Sequence, residues 1–299
     1  MKSFKHISKL TLLGLSFMVT FLACSTANND IDSLSDEDIE LATQIISESV
    51  SDENSGMMSS IYDAVSTVDT NRISYEDDNT KFKNSDRSGR GQERNYSYTY
   101  DPNTGTHTLQ YERSVTNDRF SKSVSLVNTY VYKSPEGAFI ARPRANRDSI
   151  ESIDFTASKS GFVESRRRNS EFVRLDTFAI TGLHNTSSIL SIDGTHHGEG
   201  NASGFTRDSV EASRDYTINI EFINVEIEKD TVSANGNLEQ GVTGTLTYSI
   251  VLNKTVGDED DNKVIEGTIE MTGDGTALLR FKKFAKVVRF SLKDGSEQE

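Results

Sequence analysis

The chain has 299 residues and a formal net charge of −14, from 46 acidic against 32 basic side chains. Such a balance excludes a nucleic-acid backbone as the partner, because phosphates are held by clustered lysine and arginine, and it disfavours flat adsorption onto anionic lipid. With one cysteine there is no disulfide framework; with no tryptophan and 3 prolines, the core must come from Ile, Val, Leu, Phe and Tyr.

Residues 1–9 carry Lys2, Lys5 and Lys9 and no acid, and Leu10 to Ala23 is uncharged and mostly apolar. A basic start followed by an apolar run that ends on a small residue predicts a secretory signal peptide over 1–23. As a membrane-spanning helix the run falls short of the roughly 20 apolar residues required. It ends in Phe21-Leu22-Ala23-Cys24, which resembles the lipobox of bacterial lipoproteins. The resemblance implies that Cys24 is acylated and becomes the first residue of the mature chain. Two or three acyl chains of the palmitate type would hold it, each buried methylene contributing about 0.8 kcal/mol. Here Phe stands three before the cysteine and Leu two before, a departure from the commonest form. Ser25 follows the cysteine where the inner-membrane retention signal of that family has Asp, which implies an outer-membrane destination in the cell envelope and leaves the membrane face open. The likeness covers only the leader. Since residues 1–23 hold three lysines and no acid, the mature charge is −17, with no cysteine left over as a thiol nucleophile.

Residues 24–35 are small and polar, a tether between lipid and fold. Ser35-Asp36-Glu37-Asp38 has the hydroxyl cap and acidic first turn of a helix start. Ile39, Ala42, Ile45, Ile46 and Val50 then fall on one helical face, and after Ser55-Gly56 the set Met57, Met58, Ile61, Ala64, Val65 and Val68 repeats the pattern. Two short amphipathic helices are predicted over 36–70, with Met58 and Ile61 in the core. Residues 71–94 lack a hydrophobic period and read as a polar loop.

From Asn95 the period is two. Tyr96, Tyr98 and Tyr100, a turn at Asp101 to Gly105, and then His107, Leu109 and Tyr111 predict a β-hairpin. A strand follows over Arg119 to Lys133. Val242, Leu246, Tyr248, Ile250 and Leu252 alternate with hydroxylated residues, as in a sheet with one wet face. Two strands change phase: Tyr216, Ile218, Ile220 and Phe222 precede Ile223, Val225 and Ile227, and Ala277, Leu279 and Phe281 precede Phe284, Val288 and Phe290. A change of face inside a strand predicts a bulge or bend. Irregularly spaced Gly-Thr pairs (105–106, 244–245, 267–268, 275–276) read as turn glycines starting strands. The predicted class is mainly β: a large curved antiparallel sheet or open barrel of roughly ten strands over 95–293, with two short amino-terminal helices and a polar tail at 294–299.

Three segments carry candidate chemistry. Asp193 to Gly200 contains His196 and His197, a loop whose donors suit zinc; in a strand, adjacent histidines would face opposite ways, and no metal is expected there. Asp258 to Asn262 suggests calcium but fails the EF-hand pattern at Lys263 and Ile269, so an acidic hairpin tip is expected. Arg142, Arg144 and Arg147 in one connection and Arg166, Arg167 and Arg168 in another would form an anion-binding patch for an acidic glycan or lipid phosphate if the two segments adjoin. No esterase elbow, zinc-protease helix, phosphate-binding loop or dinucleotide fingerprint occurs, and no catalytic residue or cofactor is assigned. The expected function is a membrane-anchored envelope lipoprotein with a non-catalytic binding or structural role, holding a lipid or other apolar ligand. Helices followed by a long antiparallel sheet look like the half-barrel carriers of lipoprotein trafficking, an architectural likeness only. The alternatives are a glycan-active hydrolase or lyase, and an adhesin or assembly subunit.

Overall fold

The computed structural model describes residues 34–66, 96–116, 120–165, 168–184, 186–205, 211–256 and 259–298. The leader, Cys24, the polar stretch 71–94, Val68, Arg166 and Arg167 lie outside them. Two helices, α1 (Asp36–Val50) and α2 (Met57–Ser66), precede twelve strands in a single antiparallel sheet in which each strand pairs with its sequence neighbours. The strands are β1 (Tyr96–Asp101), β2 (Thr106–Thr116), β3 (Phe120–Lys133), β4 (Ser152–Ser165), β5 (Arg168–Thr181), β6 (Ile189–Phe205), β7 (Glu211–Glu228), β8 (Val242–Val256), β9 (Glu259–Thr272), β10 (Thr276–Phe281), β11 (Phe284–Ser291) and β12 (Glu297–Gln298). A third helix, α3 (Lys229–Asn235), interrupts the β7–β8 connection. The predicted mainly β architecture is present, and the sheet is not closed: β1 and β12 are not paired with each other.

The start of α1 follows from its first four residues. Ser35 Oγ accepts from the Asp38 amide at 3.1 Å, and Asp38 Oδ2 accepts from the Ser35 amide at 3.1 Å, a reciprocal capping box. Ile39, Ala42, Ile46 and Val50 are fully buried against the sheet. The second helix differs from the amphipathic expectation, because residues 57–65 are all buried, Ser59, Ser60 and Asp63 included. Its apolar face, with Met58 and Ile61, enters the core as predicted. Its polar face meets polar side chains on the inner face of the sheet.

Along the strands one face is buried and the other wet, as period-two alternation requires. The buried set joins Phe155, Phe178, Ile192, Ile220, Leu246, Ile269 and Leu279 with both helices in one core. The phase change in β7 is a bulge: pairing with β8 slips between Ile223 and Glu226, and Asn224 takes φ +53°. Ile223 consequently points outward, 44% exposed, and Val225 resumes the inner face. The second phase change is a hairpin whose register also shifts between Arg280 and Phe281. Its first half is β10 and its second β11, with Phe281 opposite Phe284 across Lys282-Lys283. A turn made of two lysines carries none of the Gly, Asn or Pro that announce turns, which is why the segment read as one strand. This split and the short β12, in what was read as a tail, raise the strand number above ten. Gly105 and Gly275 precede strands as expected, whereas Gly244 and Gly267 lie inside β8 and β9.

Three inner-face glycines of this sheet are covered by rings from a neighbouring strand. A Cβ at Gly200 would lie 2.5–2.6 Å from the Tyr216 ring and hydroxyl, one at Gly161 2.6 Å from Phe172, and one at Gly194 2.8 Å from Phe178. Such pairs let a strand bend while the aromatic fills the missing side chain.

Candidate functional site

The turn between α1 and α2 is the hub of the molecule. On one side Asp52 and Glu53 donate their amides to the Leu292 and Lys293 carbonyls at 3.0 and 2.8 Å, and Asn54 Nδ2 donates to the Asp294 carbonyl at 2.9 Å. On the other side its carbonyls receive two cations from the sheet. Lys159 Nζ donates to Ser55 O at 3.1 Å and Gly56 O at 2.9 Å, and an Arg174 guanidinium NH donates to Asn54 O at 2.7 Å. The turn thereby ties β4 and β5 to the segment after β11.

Lys159 and Arg174 stand directly opposite each other, and Asp176 stands opposite His196 in the next inner-face row. All four are at least nine-tenths buried. Asp176 Oδ1 is 2.6 Å from His196 Nδ1, its Oδ2 is 3.7 Å from Lys159 Nζ, and Ser60 Oγ of α2 donates to the same Oδ2. Burial alone would raise the Asp176 carboxyl, but His196, Lys159 and Ser60 stabilise its charge and bring it down to about 2. Burial lowers the Lys159 ammonium, opposed by Asp176 and Asp63. Asp63 continues the network, accepting from Tyr111 Oη at 3.1 Å and Asn128 Nδ2 at 3.3 Å. Although serine, aspartate and histidine meet here, the wiring is not that of a nucleophile. Ser60 bonds to the carboxylate and not to the imidazole, which a serine nucleophile needs as its base. None of the three is open to a substrate, and His196 Nε2 is buried without a hydrogen-bond partner. The cluster holds α2 on the sheet.

Beside it a groove of about 230 Å³ opens to solvent between α1 and the β5–β7 face. Leu41, Ile45 and Glu48 form the helix side, and Phe172, Arg174, Arg214 and Tyr216 line the sheet side, with Glu171 at the rim and its side chain on the outer face. The Arg174 guanidinium lies 4.6 Å over the Phe172 ring. Its Nε is buried and has no hydrogen-bond partner. Among the described residues no carboxylate lies within ion-pair distance of Arg174 or Arg214.

The residues singled out from the sequence fall elsewhere. Asp193 to Gly200 is not a loop but the middle of β6, so His196 points inward to Asp176 and His197 outward to Asn219 and Glu199. One ion cannot hold both rings. Among the described residues no group of three or more His, Cys, Asp or Glu could hold a metal. Glu259 to Asn262 begins β9 at the tip of the β8–β9 hairpin; Asp258 lies outside the described residues. Of the arginine patch, Arg166 and Arg167 lie outside the described residues, and the described members do not adjoin. Arg142, Arg144 and Arg147 lie in the connection entering β4, whereas Arg168 opens β5 at the other end of that 14-residue strand. At about 3.3 Å per residue the two ends are roughly 40–45 Å apart. The groove arginines, Arg174 and Arg214, sit inside strands and escaped notice because isolated charges in alternating segments pass for the wet face. Their phase was the available signal, since Arg174 keeps step with the buried Phe178 and Ile180.

No helix among the described residues is long and apolar enough to cross a membrane. Compared with known proteins, the chain matches no family model, no curated protein and no solved structure.

Proposed function

We propose that this chain is a lipid-anchored protein of the cell envelope, tethered through Cys24, whose β domain serves a non-catalytic binding role. The anchor rests on the leader: a basic start, an uncharged apolar run and a cysteine behind Phe21-Leu22-Ala23. The binding role rests on one observation above others. Ser60, Asp176 and His196, the grouping with the chemistry for catalysis, are sealed in the core and spent on holding α2, while the groove alongside stays open and lined with uncompensated arginines. Helices α1 and α2 occupy the inner face on which a lipid carrier would hold acyl chains, so the reading favours a small polar ligand at the groove over a lipid under the sheet.

The anchor is tested by growing a bacterium expressing the full chain with an alkyne-tagged palmitate. Label on the wild type and none on Cys24→Ser, with the variant released from membranes, supports the proposal. Equal labelling, or a variant that stays in the membrane fraction, overturns it.

A further inference from the structure

We propose that the groove between α1 and β5–β7 binds a sugar acid, its carboxylate held between Arg174 and Arg214 and a hydroxyl by Glu48. The inference deepens the binding role proposed above and rests on it. Three observations carry it.

The first is the state of the two guanidiniums. Asp176, the carboxylate nearest to Arg174 along its own strand, is already engaged by Lys159, His196 and Ser60. Arg174 is therefore left with one backbone carbonyl and the Phe172 ring, and its Nε is buried without a partner. A buried guanidinium lacking a carboxylate is a costly arrangement, and an incoming carboxylate is the group that relieves it, through paired N–H···O bonds. Arg214, half-buried on the same wall, makes no hydrogen bond or ion pair among the described residues.

The second is the sign balance. Two arginines and one glutamate, Glu48, face the groove, so its formal charge is +1. One negative charge balances it, whereas a phosphate dianion would overshoot and sit beside the Glu48 carboxylate. A monoanion that also carries hydroxyl donors satisfies both signs, since Glu48 accepts from a hydroxyl while the guanidiniums donate to the carboxylate.

The third is shape. On β6, Gly200 lies between Phe172 of β5 and Tyr216 of β7, and the Tyr216 ring covers the position its side chain would take. The Phe172 ring is covered by Arg174, which leaves the Tyr216 ring, lying over Gly200, to meet the C–H face of a pyranose, and a groove of about 230 Å³ has room for one such ring.

Isothermal titration of detergent-solubilised full chain tests this, with D-galacturonate as probe, galactose as the neutral control and inorganic phosphate as the competing anion. One saturable galacturonate site is expected, with galactose and phosphate each weaker by about tenfold or more, the difference a charge-assisted pair supplies. Arg214→Gln should bring galacturonate down to the level of galactose while leaving the urea midpoint unchanged. A trigalacturonate arm separates a chain end from a free unit: binding tighter than the monomer assigns the chain end, equal binding assigns the single unit, and either supports the proposal. No galacturonate binding, phosphate binding as tightly, or an Arg214→Gln affinity equal to wild type overturns it. The palmitate experiment does not depend on the ligand, so these outcomes would remove the sugar acid and leave the anchor standing.

Discussion

Asp176 and His196 face each other from adjacent strands, carboxylate to imidazole at 2.6 Å, and neither side chain is exposed to solvent. With Lys159 and Ser60 they make α2 inseparable from the sheet. Asp176→Asn keeps the shape and removes the charge, leaving Lys159 buried without its ion-pair partner. The expected loss is roughly 3–5 kcal/mol of unfolding free energy in urea. A second readout isolates the ionic part. The carboxyl is held at about 2, below its ordinary value, so its contribution is complete above the unfolded pKa near 4 and disappears as pH falls through the folded value. Between about pH 4 and 2 the wild type should lose on the order of 2–3 kcal/mol that Asp176→Asn does not lose. Parallel acid limbs would mean that the charge of Asp176 stabilises nothing.

His107 predicts a pH effect nearer neutrality. It is buried, with Nε2 donating to the Ile140 carbonyl at 3.1 Å and Nδ1 accepting from Tyr98 Oη at 2.7 Å, so the neutral ring is fully satisfied. Burial lowers its pKa, with the Ile140 bond acting against the shift. A base whose folded pKa is depressed withdraws stability as pH falls from its unfolded value, about 6.5, toward the folded one. The urea midpoint should decline between about pH 7 and 5 in the wild type, and His107→Gln should flatten that segment. A variant that keeps the decline would assign it to another group.

Lys229 opens α3 with its side chain buried, Nζ donating to the carbonyls of Gly182, Leu183, His184 and Ser187. One ammonium organises the whole β5–β6 connection. Lys229→Met fits the hydrocarbon stem but removes the ammonium from the Gly182, Leu183 and Ser187 carbonyls, while His184 keeps the Ser187 amide, at roughly 1–3 kcal/mol for groups that stay dry. Limited proteolysis should find the 182–188 segment cut first in the variant. Unchanged cleavage together with unchanged stability would show that water replaces the ammonium without loss.

Several of these residues were legible in part. Phe155, Ala157 and Lys159 keep one phase along β4, and Ile180, Phe178, Asp176 and Arg174 keep one along β5, so period two already places these charges inward. What the pattern does not carry is pairing. Asp176 meets His196 because a hairpin register sets them opposite, and Ser60 joins from 116 residues away. The run Asp193 to Gly200 misled for a related reason. Glycine there signals a loop only when its neighbours are ignored, and the rings that cover Gly194 and Gly200 come from Phe178 and Tyr216 on flanking strands. The α1 cap, by contrast, is made by residues three apart, and Ser35 with Asp38 announced it directly.

Gly56, in the hub between the helices, gives the sharpest steric prediction. A Cβ there would lie 2.6 Å from the carbonyl oxygens of both Ser49 and Ser51, backbone atoms that cannot rotate aside. The same glycine accepts from Lys159 Nζ and lies two residues from Asn54, whose carbonyl receives Arg174. Gly56→Ala must therefore push the turn away from both cations and from the Leu292 and Lys293 carbonyls beyond it. Overpacking of this kind costs about 1–3 kcal/mol, and each kcal/mol lowers the melting temperature of a domain this size by about 2–4 °C. A drop of roughly 2–12 °C by circular dichroism is expected. If Gly56→Ala melts with the wild type, the turn yields freely and does not lock the open sheet.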